Sequence, residues 1–214
     1  MKAKYVIFVS LITLFVLCSA VFAEDAQSVK LPPADMQGGK PLMQALKERK
    51  SSREFGLRQL SLQVLSDMLW AAGGINRADA HRTAPSAMNM QEIDVYVAKA
   101  DGLYLYDAKA HILIPVIPED IRALTGQQPF VKDAPLNLIY VADISKMSRL
   151  KSEDADFYAA TDTGFISENV YLYCASAGLV TVVRGSIDKP ALAKAMKLQP
   201  NQKIILAQTV GYPK

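Results

Sequence analysis

The sequence predicts an α+β sandwich, with helices flanking a central sheet. Three observations lead there. Apolar residues recur at helical spacing from Leu42 to Ala72 and again from Phe157 to Ala177. Between these stretches the period changes to two, with Ile93, Val95 and Val97 alternating with Asp94 and Tyr96. The order is helices, then a hairpin, then helix and strand mixed, which suits a doubly wound parallel sheet less well.

Each element has its own signal. Residues 24–40 are polar, with Pro32-Pro33 and Gly38-Gly39, and read as a linker or an arm over the surface. Pro41 suits a first helical position, and Leu42, Met43, Ala45 and Leu46 give a short helix. Ser61 is a candidate N-cap for a second helix with Leu62, Leu65, Met68, Leu69 and Ala72 on one face, stopped by Gly73-Gly74. Ile75 to Met90 reads as a polar loop. Asp101-Gly102 is a hairpin signal, Leu103 to Tyr106 returns, and His111 to Ile117 extends the sheet before a short helix opened by Pro118-Glu119-Asp120. Leu136 to Ala142 is nearly all apolar, as in a strand covered on both faces. Phe157 to Ala177 is apolar around much of its circumference, which predicts a central helix buried in the domain or against a second subunit. Gly178 ends it. A strand at Thr181–Val183, a helix at Lys189–Lys197 and a strand at Ile204–Val210 complete the reading.

The N-terminus carries different information. Lys2 and Lys4 precede an apolar run from Val6 to Leu17, and Val21-Phe22-Ala23 offers a cleavage site before Glu24-Asp25. Residues 1–23 are therefore expected to be a Sec-type signal peptide, which places the protein in the periplasm or outside the cell. An uncleaved anchor is the alternative, since a run of about 18 residues just spans a bilayer, and it is the one membrane contact the sequence suggests. Leu17 before Cys18 does not suit a lipoprotein, and no twin-arginine pair is present. Cleavage leaves 191 of the 214 residues, enough for one well-buried domain at 41–214. Without Lys2 and Lys4 the 24 basic residues fall to 22 against 21 acidic ones, a balance that gives no support for nucleic-acid binding. Cys174 is then the single cysteine, so no internal disulfide is expected. Its apolar helical context makes an inert core thiol the reading. His81 and His111 are too far apart to suggest a metal-ligand pattern.

The densest chemistry lies at Arg49-Lys50-Ser51-Ser52-Arg53. Three cations and two hydroxyls within five residues suit a phosphate, for which Arg supplies a planar fork, Lys a point charge and Ser short donors. A solvated basic helix end is equally open on these residues alone. Pro85-Ser86 reads by itself as a turn before a strand, Asn89 as a strand-entry residue and Arg184 as a surface cation. Tyr104, Tyr106, Tyr171 and Tyr173 read as packing residues, one of which could line a ligand.

Taken in order, these pieces resemble the FMN-dependent nitroreductase family. The resemblance rests on Arg49 to Phe55, Leu69 to Arg77, Arg82 to Ala87, the hairpin with Gly102 to Asp107, Asp162-Thr163-Gly164 through Asn169 into Ala177-Gly178-Leu179, and Val210-Gly211-Tyr212-Pro213. It is strongest with the azoline oxidase-type dehydrogenase branch and spans about Leu42 to Lys214. It implies a three-layer sandwich around a mostly antiparallel sheet. It also implies a homodimer with FMN at the subunit interface and two-electron transfer through flavin N5 with a small molecule or peptide. Arg49, Ser51 and Arg53 match the clamp on the FMN phosphate and ring edge, with Lys50 adjacent. Pro85, Ser86 and Asn89 match the segment laid on the flavin from the partner. Val183-Arg184-Gly185-Ser186 matches the stretch crossing the ring, where a backbone N–H would face N5. Many relatives continue beyond the Gly-Tyr-Pro element with further cations for the phosphate. Here either Lys214 would supply that charge or the phosphate site would be lighter than usual. The lysine–tyrosine pair of the azoline oxidases is not identified, so no catalytic side chain is assigned and ring oxidation is not supported. A non-catalytic flavin-binding or interaction protein retaining the fold is the alternative.

Overall fold

The computed structural model describes residues 27–214. The expected signal segment lies outside the described residues. The strands in chain order are β1 (Val29–Lys30), β2 (Ile93–Lys99), β3 (Gly102–Asp107), β4 (Ile112–Ile117), β5 (Leu136–Asp143), β6 (Val180–Arg184) and β7 (Gln202–Gly211). The α-helices are α1 (Leu42–Glu48), α2 (Leu62–Gly73), α3 (Ser152–Ala177) and α4 (Lys189–Ala195). The strands form one sheet in the order β1-β4-β3-β2-β5-β7-β6, and every ladder between named strands is antiparallel.

The period of two divides the core into two faces. Val95 and Val97 of β2 join Leu138 and Tyr140 of β5 under α2 and α3. Tyr96 and Ala98 join Ile139 and Val141 on the other face, which Leu192 and Met196 at α4 help to cover. The result is the three-layer α+β sandwich that the sequence predicts. With both faces covered, β5 is buried from Leu136 to Ala142, which accounts for its apolar run.

The elements differ from expectation in three places. Pro41 is the N-cap of α1 rather than its first helical residue. The arm is not only a surface cover: Val29 and Lys30 pair with Leu113 and Ile112 as an edge strand. There His111 Nε2 lies 2.7 Å from Ser66 Oγ and 3.1 Å from Pro32 O, fastening the arm to the body. The third concerns α3, which starts at Ser152 and buries Ala159, Asp162, Ile166, Val170 and Cys174, while Phe157 and Phe165 remain 66% and 44% exposed. Only one side of this central helix is therefore buried within the chain. It ends where Gly178, at φ 71°, turns left-handed and Leu179 N–H donates to Cys174 O.

Candidate functional site

Residues 49–53 leave α1 in extended form and run beside the free edge of β6. Ser51 bridges Thr181 in parallel fashion and Ser52 N–H donates to Thr181 O at 3.0 Å. Tyr171 of α3 ties the two together. Its hydroxyl accepts Val183 N–H at 2.9 Å and lies 2.8 Å from Ser51 Oγ, while its ring sits 5.3 Å beneath the Arg49 guanidinium. Ser51 is exposed, as are Lys50 and Arg53, and Arg49 is half-buried. None of the three cations makes an ion pair among the described residues. Three charges and two hydroxyls are thus held on a fixed edge with donor capacity to spare.

The chain end reaches the same edge. Gly56 N–H donates to Tyr212 O at 2.8 Å, and the Arg58 guanidinium lies 4.3 Å from the Tyr212 ring centroid. A cleft of about 510 Å³ opens beside it, lined by Lys40, Lys47, Lys50, Tyr171, Thr181 and Pro213. Its size falls within the range of small-molecule sites. Lys40 is committed to Glu48 Oε2 at 2.6 Å and Ala175 O at 3.1 Å. Lys47 and Lys50 have no ion-pair partner among the described residues. Lys214 is exposed just beyond Pro213.

Arg184 departs from the surface-cation reading. Its side chain is 6% exposed and donates inward, from Nε to Thr209 Oγ1 at 3.0 Å, Nη1 to Thr125 O at 2.7 Å and Nη2 to Asn137 Oδ1 at 3.0 Å. No carboxylate joins it among the described residues, and burial lowers its pKa to about 10. A Cβ on Gly126 would fall 1.9 Å from Nη1, so glycine there makes room for the guanidinium. What the Val183–Ser186 segment offers outward is therefore backbone. Gly185 is exposed, and a Cβ on it would meet only Leu206 Cδ2, at 3.6 Å. Nothing inside the chain requires glycine at 185.

Pro85, Ser86 and Asn89 belong to a separate loop before β2. Ser86 Oγ accepts Gln91 N–H and Ser86 O accepts Asn89 N–H, both at 3.0 Å. Asn89 Oδ1 accepts from Gln91 Nε2 at 2.9 Å, and Ala87 N–H donates to Asp162 Oδ2 on α3 at 2.8 Å. Asp162 and Tyr171 are nine positions apart on α3, about 13 Å along its axis. Within one chain the loop and the cationic edge do not converge.

Tyr171, Glu92 and Asp162 carry site structure that the sequence did not assign. Glu92 is fully buried, and burial followed by repulsion from Asp162 pushes its carboxyl up to about 7. Its signal in the sequence is faint: one acid directly before the apolar run of β2.

Residues 46–212 match the nitroreductase family. The chain belongs to this family. It is a family of oxidoreductases that typically bind flavin. A Methanocaldococcus jannaschii protein described as a nitroreductase is 29% identical over 185 residues, covering 82% of this chain and 92% of that one. A Ralstonia eutropha protein described in the same way has a crystal structure that superposes with a TM-score of 0.85 at 43% identity, covering 89% and 91% of the two chains. A family structure from Desulfovibrio desulfuricans, determined in complex with FMN, shares the fold at a TM-score of 0.60 and 22% identity over 81% of this chain and 87% of that one.

Proposed function

We propose that this nitroreductase-family chain is an exported, homodimeric FMN-dependent oxidoreductase, moving two electrons through flavin N5 to or from a small molecule or peptide. The observation that carries the reading is the Arg49–Arg53 edge. Tyr171 holds Arg49 and Ser51, and the edge pairs at Thr181 with β6, the strand that runs on to the exposed Gly185. The donor set suits FMN: Arg49, Ser51 and Arg53 for the phosphate and ring edge, with Lys50 and Lys214 as further cations. When bound, the flavin supplies the hydride chemistry. The chain's own part is to hold it. Arg49 is preset by the Tyr171 ring, and Ser51 by the Tyr171 hydroxyl. The Arg184–Gly185 backbone would lie along the ring, with Gly185 keeping a side chain off it, and the cleft walls would limit bulk water.

A second copy completes the site. Pro85, Ser86 and Asn89 sit too far along α3 to reach the same chain's edge, and the Asn89 amide can both donate and accept. Leu42 (62% exposed), Met43, Leu46, Phe157 and Phe165 give the packed pair α1 and α3 an apolar outer side that suits a partner subunit. The azoline oxidase-type branch rests on the ordered motifs from Arg49 to Pro213. Residues 1–23 are the basis for export. The test is reconstitution of purified chain with FMN. The expected result is a bound flavin spectrum, reduction by a hydride donor and reoxidation by a nitro or quinone acceptor. A chain that stays colourless overturns the proposal, and a bound flavin that no donor reduces would leave a binding protein.

A further inference from the structure

The loop before β2 has an unusual construction. Three of its non-glycine residues are left-handed, Met88 at φ 50°, Asn89 at φ 53° and Gln91 at φ 49°. Each is a conformation that L residues disfavour, so the surroundings must hold it. Gln91 is held from outside the loop by Ala80 O, which accepts from its Nε2 at 3.0 Å, and by Lys146 Nζ, which donates to its carbonyl at 3.3 Å. The hold at the strained turn itself comes at Ala87, whose N–H is taken by the buried Asp162 carboxyl. Behind Asp162 stands Glu92, also buried and within hydrogen-bonding reach of it. Among the described residues neither Glu92 oxygen accepts from any donor. Two carboxyl groups in a buried site cannot both ionise cheaply, and a single proton between them satisfies both.

The cations nearby do not change this. Lys146 of the Ile144–Met147 turn, following β5, spends its ammonium on Asp94 Oδ1 at 3.1 Å and Gln91 O at 3.3 Å. Arg82, on the loop after α2, directs Nη1 to Ile93 O at 3.3 Å, and its Nε is buried without a partner. Asp94 adds a further negative charge on β2. None of these groups donates to Glu92 or Asp162.

We infer that Glu92 and Asp162 share one proton and form a latch that holds the Pro85–Gln91 loop in its strained form. With the proton in place, Glu92 donates to Asp162, whose Oδ2 accepts Ala87 N–H. When the proton leaves to solvent, two negative charges face one another in a buried site. They separate, Ala87 loses its acceptor, and the left-handed residues relax. Asn89 then loses its fixed position. That last step matters to flavin binding only on the reading above; the latch itself does not depend on it.

Two cofactor-free measurements on the full chain test the latch. The first is amide exchange at Ala87 and across Pro85–Gln91 over a pH series, corrected for intrinsic rates. Protection is expected to fall up to tenfold per pH unit once the proton is lost, as release of one proton requires. In Glu92→Gln, whose amide donates to Asp162 at every pH, protection should stay level. The second is the infrared band of a protonated carboxyl group. It should be present at neutral pH, disappear in step with protection and be missing from Glu92→Gln. An unchanged exchange profile in Glu92→Gln overturns the latch, and so does the absence of a protonated carboxyl band in the wild-type chain near neutral pH. Because the wild-type spectrum decides alone, a variant that failed to fold would not protect the inference. FMN titration separates the two readings. A chain that binds no flavin but shows the exchange transition keeps the latch and loses the flavin site. A chain that binds FMN without the transition does the reverse.

Discussion

Arg184 holds a positive charge in a place where its only partners are neutral oxygens. Such a group stays ionised because each of its three nitrogens has an acceptor: Thr209, Thr125 and Asn137. The arrangement is intolerant of added volume. Gly126→Ala is expected to displace the guanidinium and lower stability by about 2–4 kcal/mol, read as a shift in the denaturant midpoint. Tyr171→Phe should cost about 1–3 kcal/mol, since Val183 N–H then loses its acceptor, and should weaken FMN binding by freeing Ser51, while the ring beneath Arg49 is retained. The clamp itself has a sharper test. Arg49→Ala with Ser51→Ala removes charge-assisted bonds of about 1.5–3 kcal/mol each, so FMN affinity should drop far more than riboflavin affinity. Equal losses would show that the edge does not hold phosphate. These single residues were the least legible part of the sequence. Val183-Arg184-Gly185 looks like a strand end with a surface cation, because three acceptors drawn from residues 125, 137 and 209 leave no local trace. The cluster at 49–53 was readable, since its chemistry is contiguous. The role of Tyr171 was not, because its partners lie 120 and 12 positions away.

Among the elements, α3 organises the site. It carries Asp162 beneath the loop and Tyr171 beneath the cationic edge, and its outer stripe exposes Phe157 and Phe165. The sequence announced its length and end well, through Gly178 and the apolar spacing, but not its first turn, which is polar from Ser152 to Asp156. Nor could composition say which apolar residues face inward, since spacing around most of the circumference permits several answers. Phe165→Glu distinguishes the stripe from ordinary surface. The variant should sediment as a monomer and bind FMN at least tenfold more weakly, on the order of 1.4 kcal/mol. Arg49→Ala should lose FMN while remaining dimeric. A dimer that persists in Phe165→Glu with unchanged affinity would remove this stripe from the interface.

For the whole molecule, the buried acid pair makes stability depend on pH. The folded chain keeps a proton on Glu92 up to about pH 7, whereas an unfolded glutamate releases it near its ordinary value of 4.5. Across that window the folded state binds more protons, so stability falls as pH rises, by at most ~1.4 kcal/mol per unit, and levels off above it. Urea unfolding across this range should show the slope, and Glu92→Gln should flatten it. The sandwich as a whole was legible because its period of two separates Val95 and Val97 from Tyr96 and Ala98, and those two sets line the two faces. The arm's edge strand was not legible, being two residues within a polar stretch.

The strand order has a consequence for how the chain comes to be folded. β7 lies inside the sheet, paired on one side with β5 and on the other with β6, so Leu138 waits for Gln208. Until Gln202–Gly211 is available, β5 has an open flank, and β6 has no neighbour to carry the Ser51 edge. Contacts that span so much of the chain form late. A ribosome-bound or translocating chain therefore remains unfolded while residues 1–201 emerge. A version ending before Gln202 should show no cooperative unfolding transition, and the Arg49–Arg53 edge, assembled on β6, should be among the last parts to take shape.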